Sequence, residues 1–277
     1  MLLILMACFS IDNSDWDVWK DRTTNPAIDL GIPVSLVPAG SFQMGCVDGD
    51  DECENNEIPA HSVDITKDFY VMQTEVTQDL YETIMGINPS RYLGSLLPVE
   101  QVSWYDAIEF ANELSELEER EICYTIDDSI GVPQISWNRA CTGWRLLTEA
   151  EWEYAAKGNQ EFIYAGSDNI DEVGWYQESS NSMTMPVALK TPNAFELYDM
   201  SGNVNEWLWD WYYEPIYEEH AQQDVVEDPI GVPDGITRVF RGGGATQETS
   251  WLRISSRSGY YPDFTSFGVG IRLAMYK

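Results

Sequence analysis

The chain has 277 residues, 44% hydrophobic and 13% aromatic, which supplies a sizeable core for one large domain or two small ones. Its formal charge is −32, from 47 acidic residues against 15 basic ones. Such a chain repels phosphate backbones, which argues against a nucleic-acid partner; it attracts divalent cations or basic partners, unless the charge serves solubility alone.

The N-terminus reads MLLILMACFSIDNSD. Leu2 to Ala7 is apolar, and Leu5-Met6-Ala7-Cys8 resembles a bacterial lipobox, in which Cys8 takes the lipid. The apolar stretch is short and lacks a basic n-region, so a chance apolar start is the alternative. No other segment approaches the roughly 20 apolar residues of a membrane span. The reading is a lipoprotein-like signal remnant at 1–8, a polar tether at 9–33 and a folded domain at 34–277. The only membrane attachment expected is a lipid anchor.

From Val34 the texture changes. VSLVPAGSFQMG alternates and turns at Pro38-Ala39-Gly40, which predicts a hairpin, and HSVDITKDFYVMQTEV predicts further strand. Besides Cys8, the cysteines are Cys46, Cys53, Cys123 and Cys141, an even number in two local pairs. In an exported protein this suggests bridges Cys46–Cys53 and Cys123–Cys141; in a cytosolic one they are reduced core thiols. Neither pair is Cys-x-x-Cys, and only His61 and His220 are available as further ligands, so zinc is not expected. The acidic run from Asp48 to Glu57 lacks EF-hand spacing and reads as a solvated loop closed by a bridge.

Helices follow. In TQDLYETIMG, Thr77 caps, Leu80, Tyr81, Ile84 and Met85 share a face, and Gly86 stops the helix. In SWYDAIEFANELSELEE, Ser103 and Asp106 make a capping-box start, and Ala107, Phe110, Leu114 and Leu117 form an apolar stripe. In TEAEWEYAAKG, Thr148 and Glu151 form the box, Trp152, Ala155 and Ala156 face inward, and Gly158 ends it. The second half is loop-rich, with no long helix and no repeat. There LYDMSGNVNEWLWDWYY sets Asp, Asn and Glu among aromatics, and buried polar groups need satisfying by an ion or by hydrogen bonds. Trp207, Trp209 and Trp211 alternate, which places them on one side of an extended segment; Trp144, Trp152 and Trp175 are further core candidates.

Seven stretches occur in one order: VPAGSFQMG, TEVTQDLYETIMGINPS, PVEQVSWYDAIEFANELS, GWRLLTEAEWEYAAKG, PNAFELYDMSGNVNEWLWDWY, RVFRGGG and PDFTSFGVGIRLA. Together they resemble the formylglycine-generating enzyme family, the sulfatase-modifying-factor domain, from about Val34 to the last residues. The resemblance implies a single α+β domain of C-type-lectin-like fold, loop-rich, with a few short helices and short antiparallel strands. It also implies a calcium ion held by side-chain oxygens of Asp199 and Glu206 and by the carbonyls of Gly202 and Val204. That donor set suits a hard ion that takes six to eight oxygens. Asn205 stands where the family usually has Trp. A metal-free loop with Glu206 bonded to backbone amides is the alternative.

The family's enzyme oxidises a cysteine within a Cys-x-Pro-x-Arg sequence to formylglycine, using O2 and a copper ion held by two cysteines just after the glycine-rich strand. Cu(I) demands soft thiolates. Here that stretch reads RGGGATQETSWLRISSRSGYYPD and holds no cysteine; Gly244 replaces the usual Ser, and Gln247 or Thr249 fall near the lost ligands. Copper and the oxidase reaction are therefore not expected, and no catalytic residue is assigned. What remains is binding of a protein, peptide or glycan, through a surface formed by Gln247, Glu248, Trp251, Tyr260, Tyr261 and Phe264. Arg241, Arg253, Arg257 and Arg272 are unusual in so acidic a chain and serve either that surface or internal ion pairs. The reading is a non-catalytic binding or accessory lipoprotein of the bacterial envelope. A diverged oxidase and a structural subunit of an envelope machine are the alternatives.

Overall fold

The computed structural model describes residues 30–277 apart from Ile130. Cys8, the signal remnant and nearly all of the tether lie outside the described residues. The elements in order are β1 (Val34–Val37), β2 (Gly40–Met44), β3 (His61–Ile65), β4 (Phe69–Met72), α1 (Gln78–Met85), α2 (Trp104–Leu117), β5 (Tyr124–Asp127), β6 (Gln134–Trp137), β7 (Arg145–Leu146) and α3 (Glu149–Lys157). Then come α4 (Ile170–Val173), α5 (Gln177–Ser180), β8 (Asn205–Trp211), α6 (Ile216–His220), β9 (Val226–Glu227), β10 (Arg238–Arg241), β11 (Ser258–Tyr260), β12 (Val269–Gly270) and β13 (Leu273–Tyr276). The strands form small sheets in the orders β1-β4-β13-β7, β11-β10-β8-β12, β2-β3-β9 and β5-β6, and the fold is mixed α+β.

The helix starts follow their local signals. The Thr77 hydroxyl accepts from the Leu80 N–H, and Gly86 closes α1 in the left-handed region at φ +73°. Ser103 with Asp106, and Thr148 with Glu151, complete reciprocal capping boxes at α2 and α3, and Gly158 ends α3 with φ +58°. The hairpin expected at Pro38-Ala39-Gly40 does not form. β1 pairs with β4, and β2 with β3, in different sheets. Alternation marks a strand but not its partner. Here the partners come from the next strand segment, which splits at Thr66-Lys67-Asp68, and the Asp68 carboxylate accepts the Ala39 N–H at 2.9 Å where the chain crosses over.

Both disulfides are present, Cys46–Cys53 and Cys123–Cys141. Two large apolar clusters make most of the core, and a small third gathers Tyr164, Val173 and Leu252. One large cluster gathers Trp104, Phe110, Leu114, Trp144 and Trp207 around α2; the other gathers Phe69, Trp152, Leu208 and Tyr217 around α3. Trp175 is only half-buried, with the Lys190 ammonium 4.1 Å from its ring centre. Of the alternating tryptophans, Trp207 is fully buried, while Trp209 stacks on Tyr124 at the edge of the cluster.

Every residue of α3 is buried, including its charged ones. Its polar side does not face water but a set of arginines. Glu149 accepts from Arg241 at 2.7 Å and from Arg257 at 2.7 Å, while Glu153 takes the other arm of Arg241 at 2.5 Å. Glu151 grips Arg145 through both oxygens, at 2.6 and 2.8 Å. Burial opposes the charge of Glu149, but Arg257 and Arg241 outweigh it and hold its carboxyl below the usual range. Asp210 on β8 has only weaker relief, from the Glu149 N–H and Arg238. Its Oδ2 accepts the Glu149 N–H at 2.9 Å, and burial, with the neighbouring Glu149 charge, pushes its carboxyl up to about 8.

Removing one partner of a buried ion pair leaves an uncompensated charge. Glu149→Ala strands the Arg257 guanidinium and leaves Arg241 with Glu153 alone; it is expected to lose about 3–5 kcal/mol in urea unfolding, against under ~1 kcal/mol for the surface change Arg120→Ala. Equal midpoints for the two variants would remove the network from the account. Asp210 gives a pH signature. Its folded pKa lies above the unfolded value of about 3.9, so the folded state keeps a proton that the unfolded chain releases. Stability therefore falls as pH rises from about 4 through about 8. Asp210→Asn retains an acceptor for Glu149, and its stability relative to wild type should improve between pH 5 and pH 8.5, read by urea midpoints at both.

Candidate binding site

β10 ends at Arg241 and runs into Gly242-Gly243-Gly244. Gly242 and Gly243 take φ of +93° and +68°, and a Cβ on Gly243 would lie 2.7 Å from the Trp251 carbonyl oxygen. Only glycine makes this turn. The turn is zipped to the LYDMSGNVN loop: Gly202 N–H donates to the Gly242 carbonyl, and Ala245 N–H to the Asn203 carbonyl, each at 2.8 Å. Asn205, at the place where an aromatic was expected, is buried. Its side-chain amide donates to Gln247 Oε1 and to the Gly268 carbonyl, both at 2.9 Å. A Cβ on Gly244 would stand 3.3 Å from that amide. The two departures from the family pattern thus lie against each other, and a small residue at 244 leaves room for Asn205.

Of the expected calcium residues, Asp199, Gly202 and Val204 lie in the loop zipped to this turn, and Glu206 lies on β8, which follows it. Asp199 is 2% exposed; its Oδ2 accepts the Ala188 N–H at 2.7 Å, and its Oδ1 is buried with no partner. Burial pushes its carboxyl up to about 6 against the pull of the Ala188 N–H and Arg272, and Glu206 adds to the rise. Glu206 has both oxygens engaged: Arg272 donates to Oε1 at 2.8 and 2.9 Å, and the Trp152 indole N–H donates to Oε2 at 2.7 Å. A further carboxylate, Glu75, closes the loop from the other side. It accepts the Val204 N–H at 3.0 Å and the Asn203 amide at 2.8 Å. Burial, then the charges of Asp199 and Glu206, push Glu75 well above the usual carboxylate range. Spacing gave no signal for Glu75, because it reaches the loop from a segment 128 residues away.

Arg241, Arg253, Arg257 and Arg272 all turn inward. Arg241 and Arg257 meet α3, Arg253 binds Glu57 and Asp50, and Arg272 binds Glu206. None belongs to a ligand surface. The six expected surface residues form two groups, at opposite ends of β10. Tyr260 lies across from Arg238, where β10 begins, and continues a ring ladder from the core: Trp207 edge-on to Phe240, Phe240 over Tyr260, and Tyr260 stacked on Phe264 at 3.9 Å. Tyr261 is 58% exposed beside it. Gln247, Glu248 and Trp251 follow the glycine turn at the other end, Trp251 exposed and Gln247 tied to Asn205.

For copper the donor set does not fit. The residues around the turn offer amide, hydroxyl and carboxylate oxygens, and the four cysteines among the described residues are all held in disulfides. Cys46, Asp50 and Cys53 are the one group of three potential donors that converges among the described residues, and its sulfurs are bonded to each other. The sequence also gave no hint that His61 and His220, 159 residues apart, lie ring to ring.

Comparison with known proteins agrees with this architecture. The model of the sulfatase-modifying factor enzyme 1-like domain matches residues 31–277. Chaperone protein LppX of Paenibacillus barcinonensis is 36% identical over 234 residues, covering 73% of this chain and 77% of that one. The formylglycine-generating enzyme of Streptomyces coelicolor is 29% identical over 280 residues, covering 86% and 87%. The solved structure of Treponema denticola variable protein 1 superposes with a TM-score of 0.78 at 30% identity, covering 88% of this chain and 95% of that one. With its fold, its glycine turn and its buried arginines accounted for, this chain belongs to the sulfatase-modifying factor family.

Proposed function

We propose that the chain is a non-catalytic binding or accessory protein of the bacterial envelope, exported and anchored by lipid at Cys8. The observation that carries the reading is the donor set at the glycine turn. Thiolates are what a Cu(I) site needs, and none is within the 241–268 segment. Two disulfides support an oxidising compartment. A relative whose name is that of a chaperone supports an accessory role. The exposed rings Tyr260, Tyr261 and Trp251 supply contact area for a protein, peptide or glycan at little entropic cost, and Phe264 backs Tyr260 from below.

A calcium ion belongs to the same reading as a structural brace, with Asp199 and Glu206 as side-chain ligands and Gly202 and Val204 as carbonyl ligands. Its support is the buried, unpartnered Asp199 Oδ1 beside two further carboxylates, Glu75 and Glu206, with Arg272 the guanidinium that offsets them. An ion there would supply charge compensation and hold the loop against β8.

The catalytic question is tested with copper-loaded protein and a Cys-x-Pro-x-Arg peptide. Oxygen uptake is expected to match the peptide-free blank, and turnover of the peptide thiol would overturn the proposal. For binding, a peptide and glycan array should yield retention that drops about tenfold or more in Tyr261→Ala and Trp251→Ala. Retention unchanged in both variants would remove this surface. Chelation should lower the melting temperature of the wild type and leave Asp199→Ala unmoved, since an ion bound only to the folded state stabilises it by mass action. A wild type indifferent to both chelator and added calcium would discard the brace.

A further inference from the structure

Two histidines are all the chain has, and the fold brings them together. His61 is the first residue of β3 and is 4% exposed; His220 is the last residue of α6 and is half-buried. His220 Nδ1 lies 3.3 Å from His61 Nε2, with ring centres 5.1 Å apart and planes at 65°. The protonation pattern follows from the partners. The Pro59 carbonyl can only accept, so His61 Nδ1, 3.3 Å away, carries a hydrogen and donates to it. Neutral His61 then has a lone pair at Nε2, and His220 donates to it from Nδ1. That leaves the lone pair of His220 on its outer nitrogen, Nε2.

We infer that His61 Nε2 and His220 Nδ1 form a two-histidine clamp for a divalent transition metal of the Ni2+, Cu2+ or Zn2+ class. The meeting of two imidazoles from segments 159 residues apart carries the argument, and the distance admits an ion. Two nitrogens about 2.05 Å from one ion stand about 3.3 Å apart at a tetrahedral angle and about 2.9 Å at a right angle; the separation found, 3.3 Å, matches the first and lies within a small ring movement of the second. Imidazole nitrogen suits these metals, whereas Ca2+ and Mg2+ select oxygen. Entry of the ion needs no net loss of a proton from the pair. The hydrogen on His220 Nδ1 leaves as the ion enters, and Nε2 of the same ring takes one up, so the neutral ring changes tautomer.

The surroundings are those of an oriented ligand. A metal-bound histidine commonly donates its other N–H to a backbone carbonyl, which fixes ring and tautomer, and His61 does this to Pro59. Tyr217, three residues before His220, sets its ring edge-on against His61 at 4.7 Å and places its hydroxyl on Glu153. His61 is therefore held from two sides. The nearby carboxylates are engaged elsewhere: Glu149 by Arg241 and Arg257, Glu153 by Arg241, and Glu219 by the Tyr213 hydroxyl. The remaining coordination positions are left to water or to an outside ligand. His220 borders a cavity of about 10 Å³ with Met44, Asp210, Tyr217 and Gly231, room for a single water.

The test is calorimetric titration of Ni2+ into the whole chain bearing Cys8→Ser, at neutral pH, with millimolar Ca2+ and Mg2+ present to occupy the surface carboxylates. One equivalent of Ni2+ is expected to bind and to raise the melting temperature. His220→Gln, at a half-buried position that tolerates the change, should weaken binding at least tenfold and abolish the thermal shift while the circular dichroism stays unchanged. Absence of a saturable site in the Cys8→Ser protein, or the same affinity in His220→Gln, would overturn the inference.

Discussion

Glu149 holds two guanidinium groups at once, and most of the molecule's organisation depends on that pairing. It is the first residue of α3, a helix buried on every face. Arg241 leaves β10 to reach it, and Arg257 reaches it from the approach to β11. The ion pairs therefore tie the central helix to the C-terminal third of the chain. In a low-dielectric interior neither partner tolerates being alone, so α3 and the glycine turn keep one relative position. Arg253 on Glu57 and Arg272 on Glu206 repeat the device farther along the same segment. A chain with few basic residues places many of them inside, and its surface is left acidic.

This arrangement frames the glycine turn without any sulfur in it. What holds the turn is the hydrogen-bonded zip from Gly242 and Ala245 to Gly202 and Asn203, with Asn205 bridging Gln247 and Gly268. None of these contacts involves sulfur. Chemistry and scaffold are separable here: the loops after β10 can change their donors, while the arginines beneath them keep the frame. The aromatic ladder from Trp207 to Phe264 shows the same division, since its inner rings belong to the core and its outer rings to the surface.

Much of the fold was legible locally. Thr77, Ser103 with Asp106, and Thr148 with Glu151 announced the helices, because a cap is a contact between residues three apart and leaves its mark in the sequence. The cysteine pairs were legible for the same reason of closeness, at separations of 7 and 18 residues. The hairpin at Pro38 was misread because alternation identifies a strand without naming its partner. Gln247, Glu248, Trp251, Tyr260, Tyr261 and Phe264 were read as one surface; their split between the two ends of β10 was not legible, since it follows from the pairing of Tyr260 with Arg238.

By itself the sequence determined the family, the caps of α1, α2 and α3, the pairing of neighbouring cysteines and the absence of cysteine after the glycine turn, all properties of residue identity and short-range order. Tertiary structure alone decided that the C-terminal arginines face inward, that Glu75 closes the loop around Asn203, and that His61 meets His220. Each of these is a contact between residues far apart in the chain. A side chain's identity shows what it can bond to; only the packing of distant segments, driven by the need to satisfy every buried charge, selects the partner.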